Sequence, residues 1–401
     1  MRRWIFAGLG AAAFFAAGPA LAQSQLPPQQ VPTAGPGGLP VGPLVVYPGM
    51  NLAIGHDDNL FWQPAARTAS SFTVVSPYLR GEATSGPHKF DFALRVDDGR
   101  YNSSPADNYT DYSLIGNGDI VFSGRAGLKL HAELRHGHDA RGSTDAAFTA
   151  TPNEYNNNGI DGVFHYGAPG AQGRIEINAG AYERRYTNNE ASTAGLDHNT
   201  TQLGGTFFWR VRPRTELLFE TQHSSIDYQL AGSTLSSTED RYYIGVKWEA
   251  TAATSGYAKF GRMDKNFDSG TRENFSGSAW DVGARWSPLT YSVFDISTSK
   301  QTNESTGFGD AIVTQFSTIT WSHAWTSRIR TQALASYRDD SFINTAPSRV
   351  DDTTSFGLKA NYDFRRWLRF GAEITHWTRD STINTFDYKR NLLLFTVGAT
   401  L

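Results

Sequence analysis

The sequence predicts an all-β fold, a transmembrane up-and-down antiparallel β-barrel of about 18 strands of the outer-membrane type. Three observations lead there. Apolar residues recur with a period of two from about Asn51 to Leu401, connections alternate between short and long, and aromatic residues recur at the same end of every second strand. The composition is compatible with this. The 401 residues include 39 Gly, with 13% aromatic and 19% charged side chains. A mean hydropathy of −0.42 is too polar for a bundle of membrane helices. A barrel strand, however, turns only every second side chain to lipid. With no cysteine, the chain can form neither disulfides nor thiolate metal sites, and it has no cysteine nucleophile. A net charge of −3 without a clustered basic surface gives no sign of a nucleic-acid partner.

The first 22 residues read as a signal peptide. Arg2 and Arg3 precede an apolar run from Trp4 to about Ala17, and Ala20-Leu21-Ala22 has the small-x-small form of a cleavage site. Residues 23–49 follow as a Pro/Gly-rich periplasmic lead-in, extended or disordered, because Pro lacks an amide proton and Gly adds chain entropy. A plain linker is the simpler reading, and a partner-binding polyproline segment is the alternative.

Residues 50–401 form the barrel. His88 to Asp97 sets Phe90, Phe92, Leu94 and Val96 on one face and Lys89, Asp91, Arg95 and Asp97 on the other. A pleated strand makes this separation, whereas a helix would scatter the two sets. Gly127 to Arg135 repeats it, with Leu128, Leu130 and Leu134 against Lys129, Glu133 and Arg135. In chain order the strands are expected to begin near Asn51, Ser71, Lys89, Asp111, Arg125, Gly159, Arg174, Thr201 and Thr215. The second half begins near Arg241, Gly256, Ser278, Tyr291, Phe316, Arg328, Ser355, Trp367 and Tyr388. Each segment approaches the 9–11 residues that a tilted strand needs to cross a bilayer.

Short turns are expected at Ser123-Gly124, Gly167–Gly170, Arg212-Pro213, Ser287-Pro288-Leu289 and Phe364-Arg365-Arg366. Long polar loops lie between them, such as Asp139–Asn153, Ser225–Glu239 and Asp339–Asp352. This parity is that of a barrel with tight periplasmic turns and long external loops. Trp209, Trp248, Trp286 and Trp321 fall at the turn ends of successive descending strands, where an aromatic girdle would meet the lipid headgroups.

Three short stretches carry a family resemblance. Ile54-Gly55-His56-Asp57-Asp58-Asn59, His136-Gly137-His138-Asp139-Ala140-Arg141-Gly142-Ser143 and Phe386-Asp387-Tyr388-Lys389-Arg390-Asn391 resemble segments of the bacterial outer-membrane family called putative β-barrel porin 2. Ala140 departs from that pattern by separating the Asp from the Arg, and the chain ends on Leu401 where many barrels end on Phe. The resemblance implies a cell outer-membrane location, lipid as the surrounding partner, no enzyme activity, and a role in exopolysaccharide export beside periplasmic export components. A general diffusion porin for small anionic solutes is the alternative, and an outer-membrane hydrolase a more distant one.

The candidate site is the lumen. Arg95, Arg135, Arg174, Arg241, Arg285, Arg330 and Arg369 are in inward phase, as are Asp91, Glu133 and Glu176. These charges either pair across strands and keep the interior wet, or tune the passage of anions. Tyr78, Tyr182, Phe208, Tyr243 and Tyr257 share that phase and could fill space or stack on sugar rings. Asp139 and Arg141 are expected to form a loop-fixing ion pair. His136 and His138 lack a third ligand at a recognisable spacing, so no metal or other cofactor is expected. No Gly-x-Ser-x-Gly elbow or His-Glu-x-x-His helix occurs, so no catalytic residues are assigned.

Overall fold

In a computed structural model, residues 37–251 and 253–401 are described. The expected signal peptide and the expected lead-in up to residue 36 lie outside them. The first elements are β1 (Leu39–Val41), β2 (Leu44–Asp57), β3 (Ser70–Ser85), β4 (His88–Tyr101), β5 (Tyr109–Val121) and β6 (Ala126–Asp139). Then come β7 (Asn153–Tyr166), β8 (Gly173–Tyr186), β9 (His198–Arg212), β10 (Thr215–Tyr228), β11 (Ser237–Thr251), β12 (Thr254–Phe267) and β13 (Phe275–Leu289). The ring ends with β14 (Ser292–Glu304), β15 (Ala311–Ala324), β16 (Ile329–Phe342), β17 (Val350–Arg365), β18 (Leu368–Ser381) and β19 (Tyr388–Thr400).

Strands β2 to β19 pair antiparallel with their sequence neighbours, and β19 pairs with β2 from Leu392↔Asp57 to Thr400↔Gly49. The sheet therefore closes into an eighteen-stranded barrel with no free edge, as a bilayer requires of strands. β1 folds back on β2 as a short hairpin. The lead-in is thus shorter than expected: β2 begins at Leu44 and runs through Pro48-Gly49.

The period of two has a direct physical outcome. Leu94, Leu134, Ile160, Leu203, Phe219, Ile244 and Phe356 point away from the barrel and stay exposed, Ile160 at 57%. A soluble protein would not leave such a continuous apolar band open to water. Lipid covers it here. The alternating residues turn inward, and they include most of the charges.

Strands of 13–16 residues exceed the expected crossing length. The excess lies on the loop side. β7 begins at Asn153 rather than near Gly159, β15 at Ala311 rather than Phe316, and β17 at Val350 rather than Ser355. Beyond the bilayer the outward face meets water, so apolar alternation lapses. The ladder hydrogen bonds continue, as in Asn156↔Arg185 and Asn157↔Arg184. At the turn side, Ser287-Pro288-Leu289 is not a turn. β13 runs through it with a register shift between Trp286 and Leu289, which accommodates a residue that cannot donate to the ladder. Likewise Arg212, Phe364 and Arg365 belong to strands. The two-residue hairpin at Gly86-Pro87 uses the positive φ of Gly86 (57°).

Candidate functional site

The lumen has two unlike halves. At the loop side, the connection 140–152 between β6 and β7 lies across the mouth as a strap. Its near end packs on loop 58–69: a side chain at Gly142 would come within 2.1 Å of the Phe61 carbonyl oxygen, and Phe148 meets Phe61 edge-on at 5.5 Å. Its middle reaches the far wall. Asp145 accepts hydrogen bonds from Arg349 Nη1 (2.6 Å) and Thr306 Oγ1 (2.8 Å). Thr306 lies between β14 and β15, and Arg349 between β16 and β17. Those two loops straddle the point diametrically opposite β6–β7 in the ring.

Arg349 is built to hold the strap. Its guanidinium lies 3.5 Å from the ring centre of Phe386 and 4.1 Å from that of Phe342, and it forks onto Asp351 (2.9 and 2.5 Å). At 1% exposure it is the largest fully buried side chain among the described residues. A planar fork against a carboxylate, roofed by aromatic faces, suits arginine rather than lysine.

Other buried pairs ring the same mouth. Arg390 forks onto Asp57 (2.7–3.1 Å) beneath Trp62 and Trp377. Lys265 reaches Glu304 (2.6 Å), which also accepts from Tyr228 (2.9 Å). Asp139 and Arg141 do not pair with each other. Asp139 turns inward to Arg184 (3.1 Å) and Tyr186 (2.7 Å), while Arg141 binds Asp107 (2.8 Å) and Ser104 (3.0 Å) in loop 102–108. One is the last residue of a strand and the other lies in the loop beyond it, so their side chains diverge. The hydrogen bond to Asp107 raises the Arg141 guanidinium above its ordinary range.

The turn-side half is open. A cavity of about 770 Å³ follows the inner wall from β4 to β12, and its lining includes Lys89, Asp91, Lys129, Arg174, Glu176, Lys247 and Lys259. Lys259 is held by Glu220 (2.9 Å) and Asp281 (3.3 Å). Lys89, Lys129 and Lys247 make no ion pair among the described residues.

Most of the inward arginines are held by neighbours. Arg95 forks onto Asp97 (2.6–2.9 Å), Arg285 Nε contacts Asp295 (2.6 Å), and Arg369 Nε contacts Asp363 (2.6 Å), which Arg330 also contacts. Arg174 touches Glu176, and Arg241 touches Glu239. Asp91 accepts from Asn117 (2.8 Å). Arg135 and Glu133 face inward without an ion pair among the described residues. Three of the inward aromatics are also engaged: Phe208 lies under Arg174 (3.8 Å), Tyr243 under Lys259 (4.9 Å), and Tyr257 donates to Asp281 (2.8 Å).

On the outside, Trp209 and Trp286 are exposed near the turn ends of β9 and β13. Trp286, Phe294 and Trp321 stack across three strands with ring centres 5.2 and 6.2 Å apart. Trp248 is half-buried at the end of β11. Among the described residues no group of three or more His, Asp or Glu gathers to hold a metal. His138 bonds Asp111 (2.9 Å) and His136 bonds Asn156 (3.0 Å) instead.

Sequence reasoning missed the residues that close the mouth. Asp145 and Arg349 lie in loops where no periodicity marks them, and 204 positions separate them. Only the closed barrel brings them together.

A closed eighteen-stranded barrel with an apolar outer band, a charged lumen and a loop across its mouth defines an outer-membrane protein of the porin type. The putative beta-barrel porin 2 family model matches residues 31–401, and the chain belongs to that family. Among solved structures it is similar to OpdK of Pseudomonas aeruginosa crystallised with vanillate, at 11% identity and a TM-score of 0.52, over 89% of this chain and 99% of that one. A second OpdK structure from the same organism matches at 12% identity and a TM-score of 0.51 over the same shares. No curated protein matches the sequence.

Proposed function

We propose that the barrel is a passive outer-membrane conduit for small polar solutes, with a preference for anions arising in its turn-side half. One observation carries this reading: a wide, charge-lined cavity with Lys89, Lys129 and Lys247 outside any ion pair among the described residues, set behind a mouth that the strap divides. Cations left free in a low-dielectric wall raise the local concentration of anions. A mouth crossed by a latched loop suits small solutes and obstructs a polymer chain. For that reason diffusion is favoured over the polysaccharide export suggested by the sequence resemblance. The vanillate in the OpdK crystal is a small carboxylate, in keeping with a barrel of this shape serving small molecules. The long loops, strap included, are read as facing the cell exterior.

The test is reconstitution of the purified barrel in planar bilayers, with reversal potentials measured across a potassium chloride gradient. Stable conductance with chloride favoured over potassium supports the reading. Absence of conductance, together with loss of surface polysaccharide when the gene is deleted, would overturn it in favour of export.

A further inference from the structure

The turn-side rim between β8 and β11 has a charge balance unlike the rest of the wall. At the mouth each buried arginine has its own carboxylate, as in Arg390 with Asp57 and Arg184 with Asp139. At the rim a cleft of about 210 Å³ gathers four cations, Arg174, Arg210, Arg214 and Lys247, against two carboxylates, Glu216 and Glu249. Glu216 divides its oxygens between two arginines, 3.4 Å from Arg174 and 3.6 Å from Arg210. Both separations exceed the 2.7–2.9 Å of a charge-assisted hydrogen bond. Arg210 Nε is buried with no hydrogen-bond partner, and Arg214 and Lys247 make no ion pair among the described residues. Arg174 also contacts Glu176, which lies outside the cleft.

Two of these cations, Arg174 and Arg210, are held in place. Arg174 lies flat on Phe208 at 3.8 Å. The turn 167–172 closes over Arg210, where even a methyl at Gly170 would sit 3.3 Å from Nη1. Gln172 donates to the Arg210 carbonyl oxygen. Like charges fixed this closely repel one another, and a bound anion relieves that repulsion.

We propose that this cleft is a binding site for a phosphate-type oxyanion. Guanidinium forks and an ammonium suit a compact ligand with several acceptor oxygens. The volume is below that of a pocket for a drug-sized molecule. Two sources offer this chemistry. One is free phosphate or a phosphate ester approaching from the lumen, and this branch rests on the conduit reading. The other is the phosphodiester of a lipid headgroup, because Trp248 borders the cleft and such residues sit at headgroup depth.

Binding in detergent needs no conduction, so it separates this proposal from the conduit reading. The full-length barrel, purified in a neutral detergent, is titrated calorimetrically with inorganic phosphate and separately with short-chain phosphatidylglycerol. Wild type is expected to bind at least one of the two saturably. The double variant Arg214→Ala/Lys247→Ala should bind at least about tenfold more weakly, the loss expected from removing charged hydrogen-bond donors. Retained fast migration of the unheated double variant on a detergent gel shows that it is folded. Saturable phosphate binding identifies a solute site, and headgroup binding alone identifies a lipid site. Failure of both ligands to bind, or equal affinity in the double variant, overturns the proposal. Binding in a barrel that does not conduct upholds the site and removes the conduit reading.

Discussion

The two ends of the lumen solve the problem of buried charge in opposite ways. At the loop side the buried cations are matched: Arg349 to Asp351 and Asp145, Arg390 to Asp57, Arg184 to Asp139, Lys265 to Glu304. At the turn side the open cavity leaves Lys89, Lys129 and Lys247 without such partners among the described residues, and the rim cleft crowds four cations around two carboxylates. Paired charges make structure. They are desolvated, and removing one partner strands the other at a cost of about 3–5 kcal/mol. Unpaired charges in a wet wall are cheap to keep and free to attract solutes. On the proposed conduit reading, the matched end is the constriction and the unmatched end the selective surface.

Four changes would sharpen or break that division. The largest effect is expected from replacing strap residues 143–149 with a Gly-Ser linker. Single-channel conductance should rise severalfold while unheated gel migration stays fast, and unchanged conductance would show that the strap does not limit passage. Asp145→Ala is expected to do the same in smaller measure. It removes the Arg349 and Thr306 contacts but leaves Arg349 on Asp351. Loss of a charged hydrogen bond weakens the latch by about 1.5–3 kcal/mol, so openings should become more frequent in recordings. A trace indistinguishable from wild type would mean that the strap is held elsewhere.

Third, Lys89→Gln combined with Lys129→Gln should lower the chloride-to-potassium permeability ratio, while removing a whole pair with Arg95→Gln/Asp97→Asn should barely change it, because that pair is already neutral. Equal shifts from both would erase the distinction between paired and unpaired charge. The smallest effect on conduction, though not on stability, is expected on the outer face. Ile160→Arg places a charge on the lipid side and should cost about 2–4 kcal/mol of folding free energy at the bilayer midplane. Its neighbour Asp161 faces inward, and Asp161→Asn should be nearly neutral in urea unfolding from lipid vesicles. Similar midpoints for the two would contradict the assigned phase.

The differences between expectation and structure follow one pattern. Strand number, closure and inward phase were readable because lipid on one side and water on the other impose a two-residue alternation on every crossing. Where lipid ends, that constraint ends too. β7, β15 and β17 therefore start five or six residues earlier than hydropathy suggests, and Pro288 passes inside β13 by way of a bulge. The Asp139–Arg141 pairing failed for a related reason. Proximity in sequence does not fix direction where a strand becomes a loop, and the real partners lie 45 and 34 positions away.

What the sequence determined by itself is the wall: a barrel of eighteen strands, its lipid face, and the set of side chains turned inward. Local periodicity encodes these because each strand meets the same two solvents. What only the tertiary structure decided is which inward charges are spent on one another and which remain available. Asp145 finds Arg349 across the mouth, Lys265 reaches Glu304 two strands away, and Glu216 is shared between Arg210 on the facing strand and Arg174 one strand beyond. Pairing depends on distances between strands and across the mouth, and no period along the chain records those.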